Sequence, residues 1–335
     1  MGHSVTSMFR AAAPVRLDFA GGWTDVPPFS AREGGLVVSA AIGLHARAEV
    51  RPGGTGTRLT AEDLGASADQ AEGPPRSGTG PLALLQASLR LLPVGACALT
   101  TRSEAPPGSG LGSSGALDVA LVGALSAARG ERPDPRTVAD LACRLERVEA
   151  RIAGGRQDQF TAAFGGFQRM SFRDPDATAE PLVLAPAILA ELERRMLLVY
   201  TGASRFSGAT IERVMRSYEA GDRAVTGALH GLREVAERMP DALLAGNLTR
   251  IGALLDANWG HQRTLDPAMC TARMTQLDDA MRVHGVLGGK AAGSGAGGSM
   301  FFLGPDDPAP AAEAVRAIGM TLLPIRWSST GVRVC

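Results

Sequence analysis

The chain has 335 residues, of which 45% are hydrophobic, and its 34 basic residues balance its 34 acidic ones. This composition predicts one large or two closely associated globular domains, and the neutral charge argues against a nucleic-acid partner. No apolar run is long enough for a membrane span, and the N-terminus lacks the apolar core of a secretory signal. The four cysteines lack metal-ligand spacing, so we expect no zinc site and no disulfides, and a cytoplasmic location.

Strands and helices alternate through the first part of the sequence. Apolar alternation predicts a strand in "VRLDFAGG" and one or two more in "GGLVVSAAIGLHARAEVRP". A turn-rich connection with a short strand follows over 52–80, then a helix over 80–92 and a strand in "GACALTTRSE". This last strand delivers the chain to a glycine-rich loop.

Beyond that loop the sequence predicts a buried helix and then a capped helix. The segment "ALDVALVGALSAARG" is apolar on nearly all sides, as a helix in a core is. Asp134-Pro135 is a typical cap and first turn, so a second helix is expected from 134 to 152. A glycine turn, a short helical piece and a strand follow in "AGGRQDQFTAAFGGFQRMSF", and the polar segment 174–186 is the predicted domain junction.

The second half also mixes helices and strands. It begins with the strand "RRMLLVYTG", continues through helices to about His284, and reaches a glycine loop followed by the strand "SMFFLG". A final helix, "DPAPAAEAVRAIG", and a final strand, "MTLLPIRW", complete the pattern. We therefore expect an α+β fold with two domains, 1–178 and 179–335.

The loop "PPGSGLGSSG" contains a G-x-G-x-x-G pattern at 110–115. A dinucleotide site would need a second strand ending in an acidic residue about 20 positions further on, and a helix is predicted there instead. The Walker A lysine is also missing, because Lys290 is the only lysine in the chain. A coding bias toward arginine accounts for that scarcity, and a special role for this one ammonium stays open beside it.

A strand, a Gly/Ser turn and a buried helix together aim backbone N–H groups and a helix dipole at an anion. Ser113 and Ser114 add hydroxyls that suit phosphate oxygens or magnesium. The plain alternative, a glycine turn that only opens a core helix, stays open at this point.

Three segments in order resemble the motifs of the GHMP kinases, the superfamily of galactokinase, homoserine kinase and mevalonate kinase. They are "APVRLDFAGGWTDVPP", "PPGSGLGSSGALDVAL" and "GGKAAGSGAGGSMFF". The first, together with "ERVEARIAGGRQDQFTAAFGGF" and "VYTGASR", is similar to fucokinases and heptose 7-phosphate kinases, and the third is closer to the latter. The resemblance implies a two-domain GHMP kinase fold with a ferredoxin-like C-terminal domain and an active site between the domains.

The resemblance also implies roles for particular residues. Asp158 would accept or orient the proton of the attacking hydroxyl, and Arg16 would pair with it or neutralise the transferring phosphoryl group. Glu146, twelve residues before Asp158, would bind magnesium with Ser114, and Glu149 stays open as an alternative. The loop expected to wrap the ATP phosphates comprises Pro107, Gly108, Ser109, Gly110, Leu111, Gly112, Ser113, Ser114 and Gly115.

Substrate contacts are expected from the first and third motifs. Asp25 would accept sugar hydroxyls, and Trp23 would offer an apolar face to the ring, with Thr24 and Gly295 beside them. Arg205 is the candidate for a phosphate already on the substrate. A turn carboxylate, a core tryptophan and a surface arginine are the plain alternatives.

Four positions depart from the subgroup. Ala296 stands where glycine is usual, Ser294 where alanine is usual, Ser299 where a larger apolar residue is usual, and Gly115 where a small hydroxyl residue is usual. If position 296 requires a positive φ, alanine costs roughly 1 kcal/mol there.

The resulting hypothesis is a kinase that uses ATP and Mg²⁺ to phosphorylate the anomeric hydroxyl of a heptose 7-phosphate, giving the 1,7-bisphosphate. A fucokinase-like enzyme acting on a free sugar is the alternative, and a non-catalytic sugar-binding sensor is the rival from another class. The expected partners are a small sugar or sugar phosphate and ATP, with no nucleic acid and no membrane, in a monomer or homodimer.

Overall fold

One large sheet dominates the first half of the chain, whose computed structural model describes residues 7–70, 80–202 and 208–335. Its strands in the described part are β1 (Phe9–Ala20), β2 (Gly35–Pro52), β3 (Thr57–Ala61), β4 (Ala66–Gln70), β5 (Cys97–Ser103), β6 (Phe167–Arg173), β7 (Asp176–Pro181) and β12 (Arg333–Val334). The long β2 pairs antiparallel with β1 along one edge, and along the other with β5 and β6. The predicted one or two strands after the first are thus a single strand.

Helices cover this sheet. They are α1 (Phe29–Glu33), α2 (Ala83–Leu91), α3 (Ser113–Ala128), α4 (Pro135–Arg144) and α5 (Gln157–Phe164). The helix α3 packs on β1 and β2 and also meets α4 and α5. Its Ala, Leu and Val side chains are buried on nearly every side, which confirms the sequence-based prediction.

The helix predicted over 134–152 is shorter than expected. It begins as predicted, with the Asp134 side chain accepting from the Thr137 N–H at 3.0 Å and proline in the first turn. The α-helix ends at Arg144, and the chain continues through a π-helical turn over Leu145–Glu149. A π-turn widens the helix by one residue and rotates the side chains that follow. Here it presents Glu146 to the start of α3.

The second half forms a four-stranded antiparallel sheet. Its elements in the described part are α6 (Pro186–Arg195), β8 (Met196–Tyr200), α7 (Gly208–Glu219), α8 (Arg223–Leu244), α9 (Leu248–Leu265), α10 (Ala272–Val283), β9 (Gly288–Ala291), β10 (Ser299–Leu303), α11 (Ala309–Ala317) and β11 (Thr321–Leu323). The strand order is β11-β8-β10-β9, which is the order of a ferredoxin-like sheet. The predicted ferredoxin-like half is present, although α6 and β9 were not predicted.

The two halves share an apolar core. The helices α8 and α9 lie against β1, and α8 also contacts β2. The last strand, β12, returns to pair with β1. The predicted boundary between 178 and 179 falls inside β7 and stays a prediction. Within the described ranges, no helix combines the length and the apolarity needed to cross a bilayer.

Candidate active site

The predicted phosphate loop lies between β5 and α3, and its end leaves hydrogen-bond donors free. Gly112 precedes the helix with a φ of 73°, and as a glycine it offers no side chain to cap the first turn. The first N–H groups of a helix have no partner within the helix, so they point out of its N-terminus. The buried Ser113 hydroxyl has no hydrogen-bond partner among the described residues either. This arrangement suits an anion.

The glycine loop of the third motif braces the phosphate loop from the other half of the molecule. A Cβ atom at Gly293 would overlap the Gly110 carbonyl oxygen, so only glycine permits this approach. The Ser299 N–H donates to the Ser109 carbonyl at 2.8 Å, and the Gln262 side chain donates to the Gly293 carbonyl at 2.7 Å. Two motifs far apart in sequence thus form one surface.

Arg16 links the phosphate loop to the carboxylate of Asp158. Its Nε donates to Asp158 Oδ1 at 2.8 Å, and its Nη1 donates to the carbonyls of Gly110 and Ala292 at 2.7 and 2.9 Å. The arginine side chain is 6% exposed, whereas that of Asp158 is 28% exposed. A buried cation therefore fixes a carboxylate that still reaches solvent.

Ser114 and Glu146, predicted as a pair, do lie together. The Ser114 hydroxyl donates to Glu146 Oε1 at 2.5 Å, and the Gln159 amide donates to Glu146 Oε2 at 2.5 Å. Burial raises the pKa of the Glu146 carboxyl, and the negative charge of Asp158 raises it further. Glu149 instead lies 3.5 Å from Arg144, so the structure brings the first of the two candidates to the loop.

This oxygen-rich set fits a magnesium ion bound together with substrate phosphates. Within the described ranges, no group of three or more His, Cys, Asp or Glu side chains could hold a metal by itself. Magnesium characteristically takes one or two protein ligands and completes its shell with phosphate oxygens and water. A Ser114 hydroxyl beside one carboxylate matches that pattern.

Gly115 is explained by a close approach of two helices. A Cβ atom at this position would lie 2.5 Å from the Cβ atom of Asp158. A hydroxyl residue here would push α5 away and move Asp158. The departure from the subgroup is therefore coupled to the position of the carboxylate.

The residues of the first motif are deeply buried. Asp25 Oδ2 accepts the N–H groups of Arg156 and Gln157 at 2.8 and 3.0 Å, and burial raises the pKa of its carboxyl. The Thr24 hydroxyl is bonded to the backbone of Gly21 and Leu36. Asp25 thus holds the motif to the start of α5, and Thr24 holds it to the start of β2. Their predicted contacts to a sugar stay predictions.

Trp23 belongs to an apolar cluster with Val26, Phe29 and residues of α7 and α8. The tryptophan has a φ of 82°, and its buried Nε1 has no hydrogen-bond partner within the described residues. A free donor in a mostly apolar wall would suit a sugar hydroxyl, and this role also stays a prediction.

The alanine of the third motif adopts a strained backbone conformation. Ala296 has a φ of 62°, so the condition under which alanine is costly at this position is met, and its N–H donates to the Met269 carbonyl at 2.7 Å. Gly295 precedes it with a φ of 81° and backs onto Met269. Arg205, the candidate for a substrate phosphate, lies outside the described residues.

Sequence reasoning missed the partner of the single lysine. The Lys290 ammonium is fully buried and donates to the Asp18 carbonyl at 2.6 Å and to Asp18 Oδ2 at 2.9 Å. Gln159, which holds Glu146, was also missed, although it stands in the quoted segment "RQDQF". In the sequence nothing distinguishes Gln159 from an ordinary glutamine of a helix, because its contact with the buried Glu146 carboxylate appears only in the structure.

The profile of the GHMP kinases N terminal domain matches residues 82–166, and that of the GHMP kinases C terminal matches residues 239–319. A D-glycero-alpha-D-manno-heptose 7-phosphate kinase from Campylobacter jejuni is 27% identical over 318 residues, which are 92% of each chain. A bifunctional fucokinase/GDP-fucose pyrophosphorylase from Arabidopsis thaliana is 28% identical over 318 residues, 88% of this chain and 29% of that protein. A D-glycero-D-manno-heptose 1-phosphate kinase from Bacteroides thetaiotaomicron has a TM-score of 0.79 and 25% identity, covering 98% of each chain.

The two family profiles and these kinase relatives show a phosphotransferase with an alcohol group as acceptor. The chain belongs to the GHMP kinases, with both the N-terminal and the C-terminal domain of that family.

Proposed function

We propose that this protein is an ATP-dependent sugar kinase that phosphorylates the anomeric hydroxyl of a heptose 7-phosphate, giving the 1,7-bisphosphate. The observation that carries the kinase chemistry is the Arg16 side chain, which holds both Asp158 and the Gly110 carbonyl of the phosphate loop. The heptose assignment is supported by the Campylobacter jejuni relative, which matches over 92% of both chains.

In this proposal the loop Pro107–Gly115 and the first turn of α3 bind the ATP phosphates through backbone N–H groups. Asp158 orients the sugar hydroxyl and takes its proton. The hydroxyl oxygen forms a bond to the γ-phosphorus while the bond from that phosphorus to ADP breaks. Arg16 offsets negative charge beside the reacting groups, because its guanidinium borders both the loop and the carboxylate.

The proposal assigns magnesium to Ser114 and Glu146. A bound magnesium ion would neutralise the β- and γ-phosphate charge. The protein's own part is to keep the Glu146 carboxylate in place, which the Gln159 amide does at 2.5 Å. In this structure the Ser114 hydroxyl donates to Glu146 Oε1. If the hydroxyl rotates, its lone pairs can face a cation bound between the two side chains.

A fucokinase-like reaction on a free sugar is the second candidate. It is supported by the Arabidopsis thaliana relative, which matches 88% of this chain at 28% identity. The chain spans under a third of that bifunctional protein, so the comparison concerns its kinase portion at most.

A coupled ADP-release assay across heptose 7-phosphates, free heptose, fucose, galactose and mevalonate tests the proposal. We expect the highest kcat/KM with a heptose 7-phosphate, and a phosphorus NMR spectrum of the product with a new anomeric phosphate signal. Highest activity with fucose would favour the second candidate. Sugar binding by calorimetry without ADP release from any substrate would instead indicate a sensor.

A further inference from the structure

A cavity of about 500 Å³ opens between the two halves of the molecule, beside the chain that leads into α5. Its walls come from three segments: 26–28 after the first motif, 147–154 before α5, and one side of α7. We call it the arginine cavity, because Arg147, Arg151 and Arg216 line it. Nothing in the catalytic arrangement described above uses these three side chains.

The charge of the arginine cavity is positive. Its charged lining residues are the three arginines together with Glu212 and Glu219. Glu219 lies 3.5 Å from Arg32, which lies outside the lining, so part of its charge is already offset. The remaining lining is apolar or made of proline and glycine.

Two of the arginines are available to a ligand. Arg151 and Arg216 are exposed, and neither forms an ion pair or a side-chain hydrogen bond with any described residue. Arg147 approaches Asp174 only at 3.6 Å. Free guanidinium groups that converge on one cavity suit a phosphate, which they bind with two parallel hydrogen bonds each.

The backbone at Arg151 supports a ligand role. Arg151 has a φ of 56°, a conformation that costs an L-residue about 1 kcal/mol or more. The Ile152 N–H donates to the Glu146 carbonyl at 2.9 Å and holds the chain there. Backbone strain of this kind persists where the surrounding structure fixes it, often at ligand sites.

Two of the segments that line the arginine cavity are adjacent in sequence to the proposed catalytic groups. Residues 151–154 run directly into the α5 start that carries Asp158, and residues 26–28 directly follow Asp25, which is bonded to that same start. A sugar with its anomeric hydroxyl at Asp158 would extend its far end along these segments. In a heptose 7-phosphate, that far end carries the phosphate.

We propose that Arg151 and Arg216, assisted by Arg147, bind the phosphomonoester at the far end of the sugar substrate. This inference rests on the proposed function, since it requires a substrate that already carries a phosphate. It assigns that phosphate to side chains other than Arg205.

The test uses Arg151→Gln, Arg216→Gln and the double variant, with Arg132→Gln as the matched control. Arg132 is exposed beyond the far end of α3, which spans about 24 Å from its start at the phosphate loop. We expect kcat/KM for heptose 7-phosphate to fall at least about tenfold in each single variant, as loss of a charge-assisted hydrogen bond implies. The KM for ATP should change less than about twofold, and the control should match the wild type in both.

Calorimetry with inorganic phosphate separates this inference from the proposed function. Turnover of heptose 7-phosphate with unaltered kcat/KM in the double variant would overturn the arginine site and leave the proposed function intact. If the wild type uses only free sugars, the proposed function fails. The substrate-phosphate role of the arginines fails with it. Inorganic phosphate binding to the wild type that is lost in the double variant supports the arginine site, and absence of phosphate binding to the wild type overturns it.

Discussion

Two ion pairs each have one residue on strand β1, and the pairs differ in their exposure to solvent. On β1, Arg16 pairs with Asp158 at 2.8 Å, and two residues further on Asp18 pairs with Lys290 at 2.9 Å. The Asp158 side chain is 28% exposed, whereas Asp18 and Lys290 are 4% and 0% exposed. The Arg16–Asp158 pair, which we call the open pair, therefore keeps a face exposed to solvent, whereas the Lys290–Asp18 pair, the sealed pair, does not.

The sealed pair positions the open one. Lys290 lies on β9, two residues before Ala292, whose carbonyl accepts from Arg16 at 2.9 Å. Its bonds to Asp18 therefore fix the third motif against the strand that carries Arg16. Burial lowers the pKa of the Lys290 ammonium, and the charge of Asp18 opposes that shift. We therefore expect Lys290 to contribute to the stability of the fold, and Asp158 to contribute to catalysis.

The largest effect is expected from Asp158→Asn. The amide keeps the shape of the side chain and cannot take a proton, so kcat should fall about a thousandfold, within the range of general-base contributions. The melting temperature should change little, because the asparagine amide oxygen can still accept the hydrogen bond from Arg16 Nε. Coupled ADP release and thermal unfolding measure both quantities, with the exposed Asp140→Asn as the control. A variant that retains a tenth of the wild-type kcat would remove Asp158 from the mechanism.

Lys290→Met should have the opposite profile. It leaves the buried Asp18 carboxylate without its cation, so the free energy of unfolding should fall by about 3 kcal/mol. The double variant Lys290→Met/Asp18→Asn removes both charges and should recover more than half of that loss. Urea unfolding measures all three proteins. A single variant as stable as the double one would mean that the pair is not coupled.

The sequence predicted the open pair and missed the sealed one for a physical reason. Arg16 and Asp158 each stand close to glycines that close packing requires, because a Cβ atom at Gly22 would overlap Asp18 and one at Gly155 would overlap Asp25. The partner of Lys290 lies 272 residues away, and no local pattern marks such a contact. The lysine itself was noticed only because the chain holds no other.

The strand β9 was missed because its first two residues must be glycines to fit against their neighbours. A Cβ atom at Gly288 would overlap the Gly252 carbonyl of α9, and one at Gly289 would overlap the Phe302 ring. Because close packing requires glycines here, the segment lacks the β-branched residues by which a strand is identified, and its sequence resembles a glycine loop. The π-turn over Leu145–Glu149 was missed for a different reason, because its residues are ordinary helix formers and continue the pattern of α4.

Arg16→Lys probes how the open pair is held. Lysine keeps the charge and loses the fork that reaches Asp158, Gly110 and Ala292 together. We expect kcat/KM to fall about tenfold, as loss of one charged hydrogen bond implies. The matched control is Arg10→Lys on the same strand, since Arg10 pairs with Glu49 at the surface. Equal losses in the two variants would show that the fork at position 16 is unimportant.

The smallest effect concerns Asp118, a buried carboxyl of α3 that forms no ion pair with any residue that the structure describes. Within the described ranges neither of its oxygens has a hydrogen bond of good geometry. Burial, followed by the charge of Glu146, raises its pKa well above the usual range, and the nearby Gln159 amide opposes that shift only in part. A raised folded-state pKa stabilises the fold below the unfolded pKa, and this contribution is lost as the pH rises through the folded value. Asp118→Asn removes that loss, so its gain in unfolding free energy over the wild type should grow by at least about 1 kcal/mol between pH 4 and pH 7. Urea unfolding at both pH values measures the difference, and a gain independent of pH would contradict the burial of an ionisable group there.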